Sequence, residues 1–287
     1  MKQTIHTITE LAYGKINLYL DVLGKRPDGY HEIQSIMHTV SLCDTVTVTK
    51  TETECRMTCT DPTLTCGEDN LCLRAAHTFF AALATTGGCD IHLEKTLPRE
   101  AGLGGGSADA AAVLRALNRL YDRPFSVEDL RQMAARIGAD VPFCVTGGAA
   151  YAEGIGERLR PCHVLPEGYL VISGGIGRMS TPEAYRRIDE IVPTRHGDLT
   201  KLSAALAEGN WRAIGQALYN RFEDAVPSSQ AVKELLLSCG AVGALMTGSG
   251  TAVFGLFEKK ETAERACQIL REKTLTAFLA TPIGRIS

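Results

Sequence analysis

The run Pro98-Arg99-Glu100-Ala101-Gly102-Leu103-Gly104-Gly105-Gly106-Ser107-Ala108-Asp109-Ala110-Ala111 turns abruptly from glycine to alanine. Gly104, Gly105 and Gly106 can take positive φ and bring bare backbone against a ligand, whereas Ala108 to Ala112 is strongly helix-forming. The run predicts a glycine loop feeding a helix N-terminus. There, unpaired N–H groups and the positive end of the helix dipole converge on one spot, an arrangement suited to a phosphate chain. The loop has neither the lysine of the Walker loop nor the spacing of the dinucleotide fingerprint. Taken alone, three glycines also serve as a flexible turn before an ordinary core helix.

Two further stretches could complete a phosphoryl-transfer site, which needs donors around a triphosphate, a cation near the moving charge and a carboxylate to take the acceptor's proton. Lys15 and Asn17 alternate with Ile16 and Leu18, which predicts a strand that puts both polar residues on one face. Asp140 follows a helix ended by Gly138, in the short connection Ala139-Asp140-Val141-Pro142, where Pro142 should push Val141 out of helical geometry. Each is unremarkable by itself, since strand lysines are mostly solvated and aspartates favour turns.

The elements that must position these residues read as follows. Strands are expected from Lys15 to Val22 with one buried face, from Thr45 to Thr49, from Cys89 to Lys95 and from Ala149 to Glu153. Helices are expected from Leu71 to Thr85, from the glycine loop to Tyr121 and, behind a Ser126/Asp129 capping box, to Ile137. Arg160 to Gly168, with Pro161 and Pro166, reads as a linker between two domains, 1–160 and 161–287. Beyond it come strands at Tyr169 to Ser173, Val242 to Met246, Ala252 to Phe257 and Leu275 to Ala280. Helices lie at Thr181 to Ile191, Leu199 to Glu208, Asn210 to Glu223, Ser229 to Cys239 and Glu261 to Lys273. Strands and helices intermixed in both halves give an α+β class.

At 287 residues the chain can bury a sizeable core, and its net charge of -3 with dispersed basic residues gives no reason to expect a nucleic-acid partner. No apolar run approaches the roughly 18 residues that span a bilayer, and Met1 to His6 carries no apolar signal core. A cytoplasmic protein with no membrane partner is expected. Among ten cysteines, Cys55, Cys59, Cys66 and Cys72 cluster, but without the paired C-x2-C knuckles of zinc ribbons they read as reduced, partly buried thiols.

Ala12-Tyr13-Gly14-Lys15-Ile16-Asn17-Leu18-Tyr19-Leu20, the glycine run and Thr247-Gly248-Ser249-Gly250 resemble, in this order, the three motifs of the GHMP kinase superfamily. The resemblance covers nearly the whole chain. It implies a two-domain α+β fold, with an N-terminal domain like the second domain of ribosomal protein S5, a ferredoxin-like C-terminal domain and an active site in the cleft between them. Arg26-Pro27-Asp28-Gly29-Tyr30-His31 and Gly138-Ala139-Asp140-Val141-Pro142-Phe143 are similar to one branch in particular. Its acceptor is a small molecule carrying a cytidine diphosphate group, phosphorylated by ATP on the 2-hydroxyl of its methylerythritol part, on the non-mevalonate route to isoprenoid precursors.

By that resemblance Asp140 is the catalytic base and Lys15 its partner cation, while Asn17 orients the acceptor side. Pro98 and the Gly102, Leu103, Gly104, Gly105, Gly106, Ser107 and Ala108 loop would wrap the ATP phosphates, with Asn70 near the adenine. Tyr30 and Tyr185 would sandwich the cytosine, His31 would bond its edge, and Gly248 and Ser249 would line the cleft. Mg²⁺ is implied with ATP, without a nameable ligand. The chain departs from the pattern at Glu100, where a small residue is usual; a carboxylate facing triphosphate would be repulsive, so Glu100 is expected to point to solvent. Other readings are a homoserine- or mevalonate-type kinase of the superfamily, which has no reason to carry Asp28-Gly29-Tyr30-His31, and a non-catalytic nucleotide sensor. Either a monomer or a homodimer is compatible with the sequence.

Overall fold

The computed structural model describes residues 6–174, 179–193 and 196–286. Met1 to Ile5, read above for a signal core, lie outside them. Two strands much longer than their sequence signals dominate the first half: β1 (Thr7–Lys25) and β2 (His31–Thr51) pair antiparallel along their whole length. The turn between them is set by Gly29 at φ 87° and by the Asp28 carboxylate, which accepts the Tyr30 N–H at 3.1 Å. Residues 14–20 of β1 are buried on both faces, which corrects the expectation of one buried face. The polar face does not meet water there but is covered by the glycine loop and the Thr247 turn.

The rest of the first half is β3 (Cys55–Cys59), α1 (Leu71–Leu83), β4 (Gly88–Glu94), α2 (Gly105–Leu120), α3 (Val127–Ala135), α4 (Val141–Thr146), β5 (Ala149–Gly154) and β6 (Arg158–Pro161). The far end of β2 pairs with β4 and its near end with β5, so one strand serves two neighbours in succession. Small residues let α2 press against β1, α1 and α4, and it is buried nearly all round. The Ser126/Asp129 capping box opens α3.

The second half contributes β7 (Tyr169–Ser173), α5 (Thr181–Glu190), α6 (Leu199–Glu208), α7 (Trp211–Ala217), β8 (Tyr219–Asn220), α8 (Ser229–Ser238), β9 (Gly243–Met246), β10 (Val253–Phe257), α9 (Lys260–Glu272) and β11 (Ala277–Ala280). Four strands form an antiparallel sheet in the order β11-β7-β10-β9. The helix expected from Asn210 to Glu223 stops at Ala217, because Leu218 to Asn220 is extended and β8 adds parallel to β1 in the first sheet, with Tyr19 opposite Tyr219. The C-terminal tail also returns, bridging Val40 to Pro282 and Gly147 to Arg285.

Asp140 is not in a plain connection. It is the N-cap residue of α4, with Pro142 in the first turn, where a proline's missing N–H costs no helical bond. The expectation that Pro142 would push Val141 out of helical geometry is thereby corrected. In the stretch read as a linker, Leu165 is buried and its N–H donates to His38 Nε2 at 2.9 Å, which pins the connection to β2.

Candidate active site

β-Bulges at Tyr13/Lys15 and Asn17/Tyr19 flank the two polar residues of β1 and re-aim that strand locally. The Lys15 N–H donates to the Leu103 carbonyl at 2.9 Å, tying the strand to the glycine loop. Lys15 Nζ donates to Asn17 Oδ1 at 2.8 Å and stands 3.4 Å from Asp140 Oδ2. Asn17 is held on three sides: its Nδ2 donates to Ser35 Oγ at 2.9 Å, its Oδ1 also accepts from Gly248 N–H at 3.1 Å, and its backbone N–H donates to Thr247 Oγ1 at 3.0 Å. It joins β1, β2 and the Thr247 turn while still lining the cavity. Asp140 makes no side-chain capping bond to α4, so its carboxylate is left to Lys15 and to the cavity.

The glycine loop and the Thr247 turn meet backbone to backbone. A Cβ on Gly102, whose φ is 80°, would lie 2.1 Å from the Thr247 carbonyl oxygen, and Gly248 would meet Gly102 in the same way. Gly104 caps α2 in the left-handed region, without any side-chain capping bond, beside the Lys15 stem. The amides of Gly105, Gly106 and Ser107 therefore have no intrahelical acceptor, and the dipole's positive end opens toward the cavity. Glu100 is exposed, as expected, although it borders the cavity and sits at φ 53°.

A buried cluster that sequence reasoning missed underlies this loop. Lys95 Nζ sits between Asp44 and Asp109, 2.9 Å from Asp109 Oδ2. Burial and then the neighbouring Asp44 charge, opposed by Lys95, push the Asp109 carboxyl up to about 7. Asp109 Oδ1 is buried without a hydrogen-bond partner. The available signal was an aspartate amid alanines on a helix face that otherwise had to be core.

At the other end, His31 opens β2 and stacks on Tyr185 of α5, with ring centroids 4.6 Å apart and 26° between planes. Tyr185 in turn meets Phe222 edge-on at 4.9 Å. Burial, with the Asp140 charge second, pushes the Tyr185 phenol up to about 12. Tyr30 is 62% exposed. Ser249 shares a hydroxyl hydrogen bond of 2.9 Å with Thr181 at the start of α5.

Lys15, Asn17 and Asp140, the glycine loop, Lys95 and Asp109, and His31 and Tyr185 line one cavity of about 1220 Å³, roomy enough for two substrates. Of the residues singled out in the sequence, the structure brings every one but Ala108 to its wall. Ala108 corrects the expectation: it is buried in the core behind the loop, and its N–H is spent on the Gly104 carbonyl. Asn70 reaches the wall, but its Oδ1 caps α1 through Cys72 N–H and its Nδ2 donates to the Thr65 carbonyl. Among the described residues no three His, Cys, Asp or Glu side chains cluster as a metal cage, and no helix is long and apolar enough to cross a membrane.

Residues 70–148 match the GHMP kinases N terminal domain, and residues 202–274 the GHMP kinases C terminal domain. A 4-diphosphocytidyl-2-C-methyl-D-erythritol kinase of Desulfitobacterium hafniense is 42% identical over 96% of this chain and 95% of its own. The corresponding protein of Symbiobacterium thermophilum is 40% identical, over 93% and 97%. A crystal structure of 4-(cytidine 5'-diphospho)-2C-methyl-D-erythritol kinase superposes with a TM-score of 0.80 at 36% identity, covering 96% of this chain and all of the other. The homoserine kinase of Cytophaga hutchinsonii, at 19% identity and a TM-score of 0.76 over 99% and 97%, shares the fold.

Proposed function

This chain belongs to the GHMP kinase family and, within it, to the 4-diphosphocytidyl-2-C-methyl-D-erythritol kinases, and on that footing we propose how its residues carry the γ-phosphoryl group of ATP to the 2-hydroxyl of that cytidine-bearing alcohol. The observation that carries the reading is the 3.4 Å approach of Lys15 Nζ to Asp140 Oδ2, in one cavity with the glycine loop on one side and His31 and Tyr185 on the other.

Asp140 takes the proton of the 2-hydroxyl as that oxygen bonds to the γ-phosphorus and the bond to ADP breaks. Lys15, held by Asn17, neutralises charge shared between the carboxylate, the attacking oxygen and the moving phosphoryl group. The free amides of Gly105, Gly106 and Ser107 receive the phosphate chain, with Pro98, Gly102, Leu103 and Gly104 shaping the wall and Asn70 near the adenine. Mg²⁺ arriving on the nucleotide would need few protein ligands. The oxygen donors on offer beside the loop are the Ser107 hydroxyl and the unpartnered Asp109 Oδ1, and the ion would neutralise triphosphate charge.

Tyr30 and Tyr185 hold the cytosine and His31 reads its edge, while Gly248 and Ser249 close the acceptor side. A monomer or a homodimer is compatible with this reading. The two-domain division near residue 160 and a cytoplasmic setting complete the proposal. The test is a panel of alcohols incubated with ATP and followed by ADP release. Turnover with the cytidine-bearing alcohol and none with homoserine or mevalonate is expected, and the reverse would overturn the assignment.

A further inference from the structure

α5 presents two side chains, one turn apart, to the same imidazole. Tyr185 stacks on the His31 ring, and Asp189 Oδ1 lies 2.8 Å from His31 Nε2. The other carboxylate oxygen faces Lys25 Nζ at 3.9 Å. Lys25 and His31 are direct cross-strand partners at the closing end of the β1–β2 hairpin, so a single carboxylate from the second half of the chain clamps both ends of that pair.

An ionised carboxylate has no proton to give, so the nitrogen beside it must be the protonated one. Among the described residues no protein group bonds Nδ1, and His31 lines the cavity. Held by Asp189, the ring in its neutral form would offer Nδ1 as a bare acceptor. We propose that Asp189 is a specificity-determining positioning residue: it fixes His31 as the Nε2–H tautomer, so that Nδ1 accepts the 4-amine of cytosine and repels the 4-carbonyl of uracil. The role rests on the reading of His31 as the residue that meets the cytosine edge. Asp189 acts through His31, and Tyr185 holds the ring plane while the carboxylate sets its rotation and its proton.

The test compares wild type with Asp189→Ala and Asp189→Asn, using cytidine diphosphate and uridine diphosphate as competitors of the acceptor. Asp189 is 38% exposed, so both variants should fold, which thermal melting checks. Wild type should prefer the cytidine compound by about tenfold or more, since the wrong ring edge leaves an acceptor facing an acceptor. Asp189→Ala should bring that ratio to within about twofold, raise the acceptor KM and leave kcat and the ATP KM in place, the signature of lost ground-state positioning. Asp189→Asn, whose amide can accept or donate, should lower the ratio less.

Nitrogen-15 NMR of labelled histidine reads the tautomer directly: Nε2–H alone in wild type, and a mixture of tautomers in Asp189→Ala. A wild-type ring protonated on Nδ1 would overturn the proposal, as would an Asp189→Ala enzyme that keeps the full cytosine preference. Wild type that competes equally with both nucleotides would overturn the cytosine reading itself, and this role with it.

Discussion

Lys15 Nζ stands 3.4 Å from Asp140 Oδ2 while it donates to Asn17 Oδ1 at 2.8 Å, so one ammonium joins a buried, fixed amide to a carboxylate that borders the cavity. The arrangement separates holding from reacting. Asn17 is 1% exposed and fixed by Ser35, Gly248 and Thr247, whereas the Asp140 side chain is 31% exposed and makes no capping bond. Substituting Asp140 should therefore cost chemistry and little else.

Asp140→Asn is expected to melt within a degree or so of wild type and to bind ATP with unchanged affinity by calorimetric titration. Its turnover should fall by about 10²–10⁴-fold, the usual contribution of a positioned base. Near wild-type turnover would place the base elsewhere.

How much of this was legible in the sequence depended on whether local chemistry or long-range packing decided the outcome. The glycine loop and α2 could be read because Gly104 to Gly106 and the alanines after them encode their conformation locally. Most of β2 could not, because from His31 to Val40 the strand is buried almost continuously and apolar alternation vanishes with it. β8 was hidden for a different reason: Tyr219 and Asn220 continue a helical pattern and become extended only through pairing with β1. The residues expected at the site were named by type and order and, Ala108 apart, line one cavity, but their packing partners were not legible. Nothing near Lys95 announces Asp44, which is 51 residues away and reaches it across the β2–β4 pairing.

Two glycines of the loop should respond oppositely to alanine. At Gly102 the new methyl meets the Thr247 carbonyl at 2.1 Å in a left-handed backbone, so Gly102→Ala should lower the melting temperature and damage ATP and acceptor use together. At Gly106 the nearest atom would be Leu71 Cδ1 at 3.7 Å, and the residue is already helical. Gly106→Ala should leave the melting temperature unchanged or raised, yet raise the ATP KM, because its methyl would crowd the backbone proposed to receive the phosphate chain. Equal loss of stability in both variants would contradict the distinction.

His38 predicts an acid-sensitive fold. Its Nδ1–H donates to the Thr39 carbonyl at 2.7 Å, its Nε2 accepts from Leu165, and burial holds the imidazole down to about 4. An unfolded histidine titrates near 6.5, so between those values the unfolded chain binds more protons. The stabilisation is complete above pH about 6.5 and drains away as the pH falls to about 4, by up to about 3 kcal/mol. Asp109, pushed up to about 7, acts in the opposite sense, losing stability as the pH rises from about 4 to about 7. The difference between wild type and His38→Asn in urea midpoints at pH 7.5 and 4.5 isolates the histidine. It should shrink at the lower pH, and a difference independent of pH would refute the assignment.

The two tyrosines proposed for the cytosine should separate binding from architecture. Tyr30 is 62% exposed on the hairpin end, and its backbone, rather than its ring, is what the turn uses, through Asp28. Base stacking on an aromatic face is worth about 1–3 kcal/mol, which corresponds to about 5- to 150-fold in affinity. Tyr30→Ala should raise the acceptor KM within that range, leave the ATP KM and the melting temperature in place, and spare kcat at saturation. Tyr185 is different because its ring is already packed between His31 and Phe222. Tyr185→Ala removes the surface on which His31 lies, so it should raise the acceptor KM at least as much and lower the melting temperature as well, through the cavity left against Phe222. Tyr185→Phe keeps the ring and should restore both. If Tyr30→Ala proves as destabilising as Tyr185→Ala, or if neither changes the acceptor KM, then these rings serve the fold and the cytosine must be held elsewhere in the cavity.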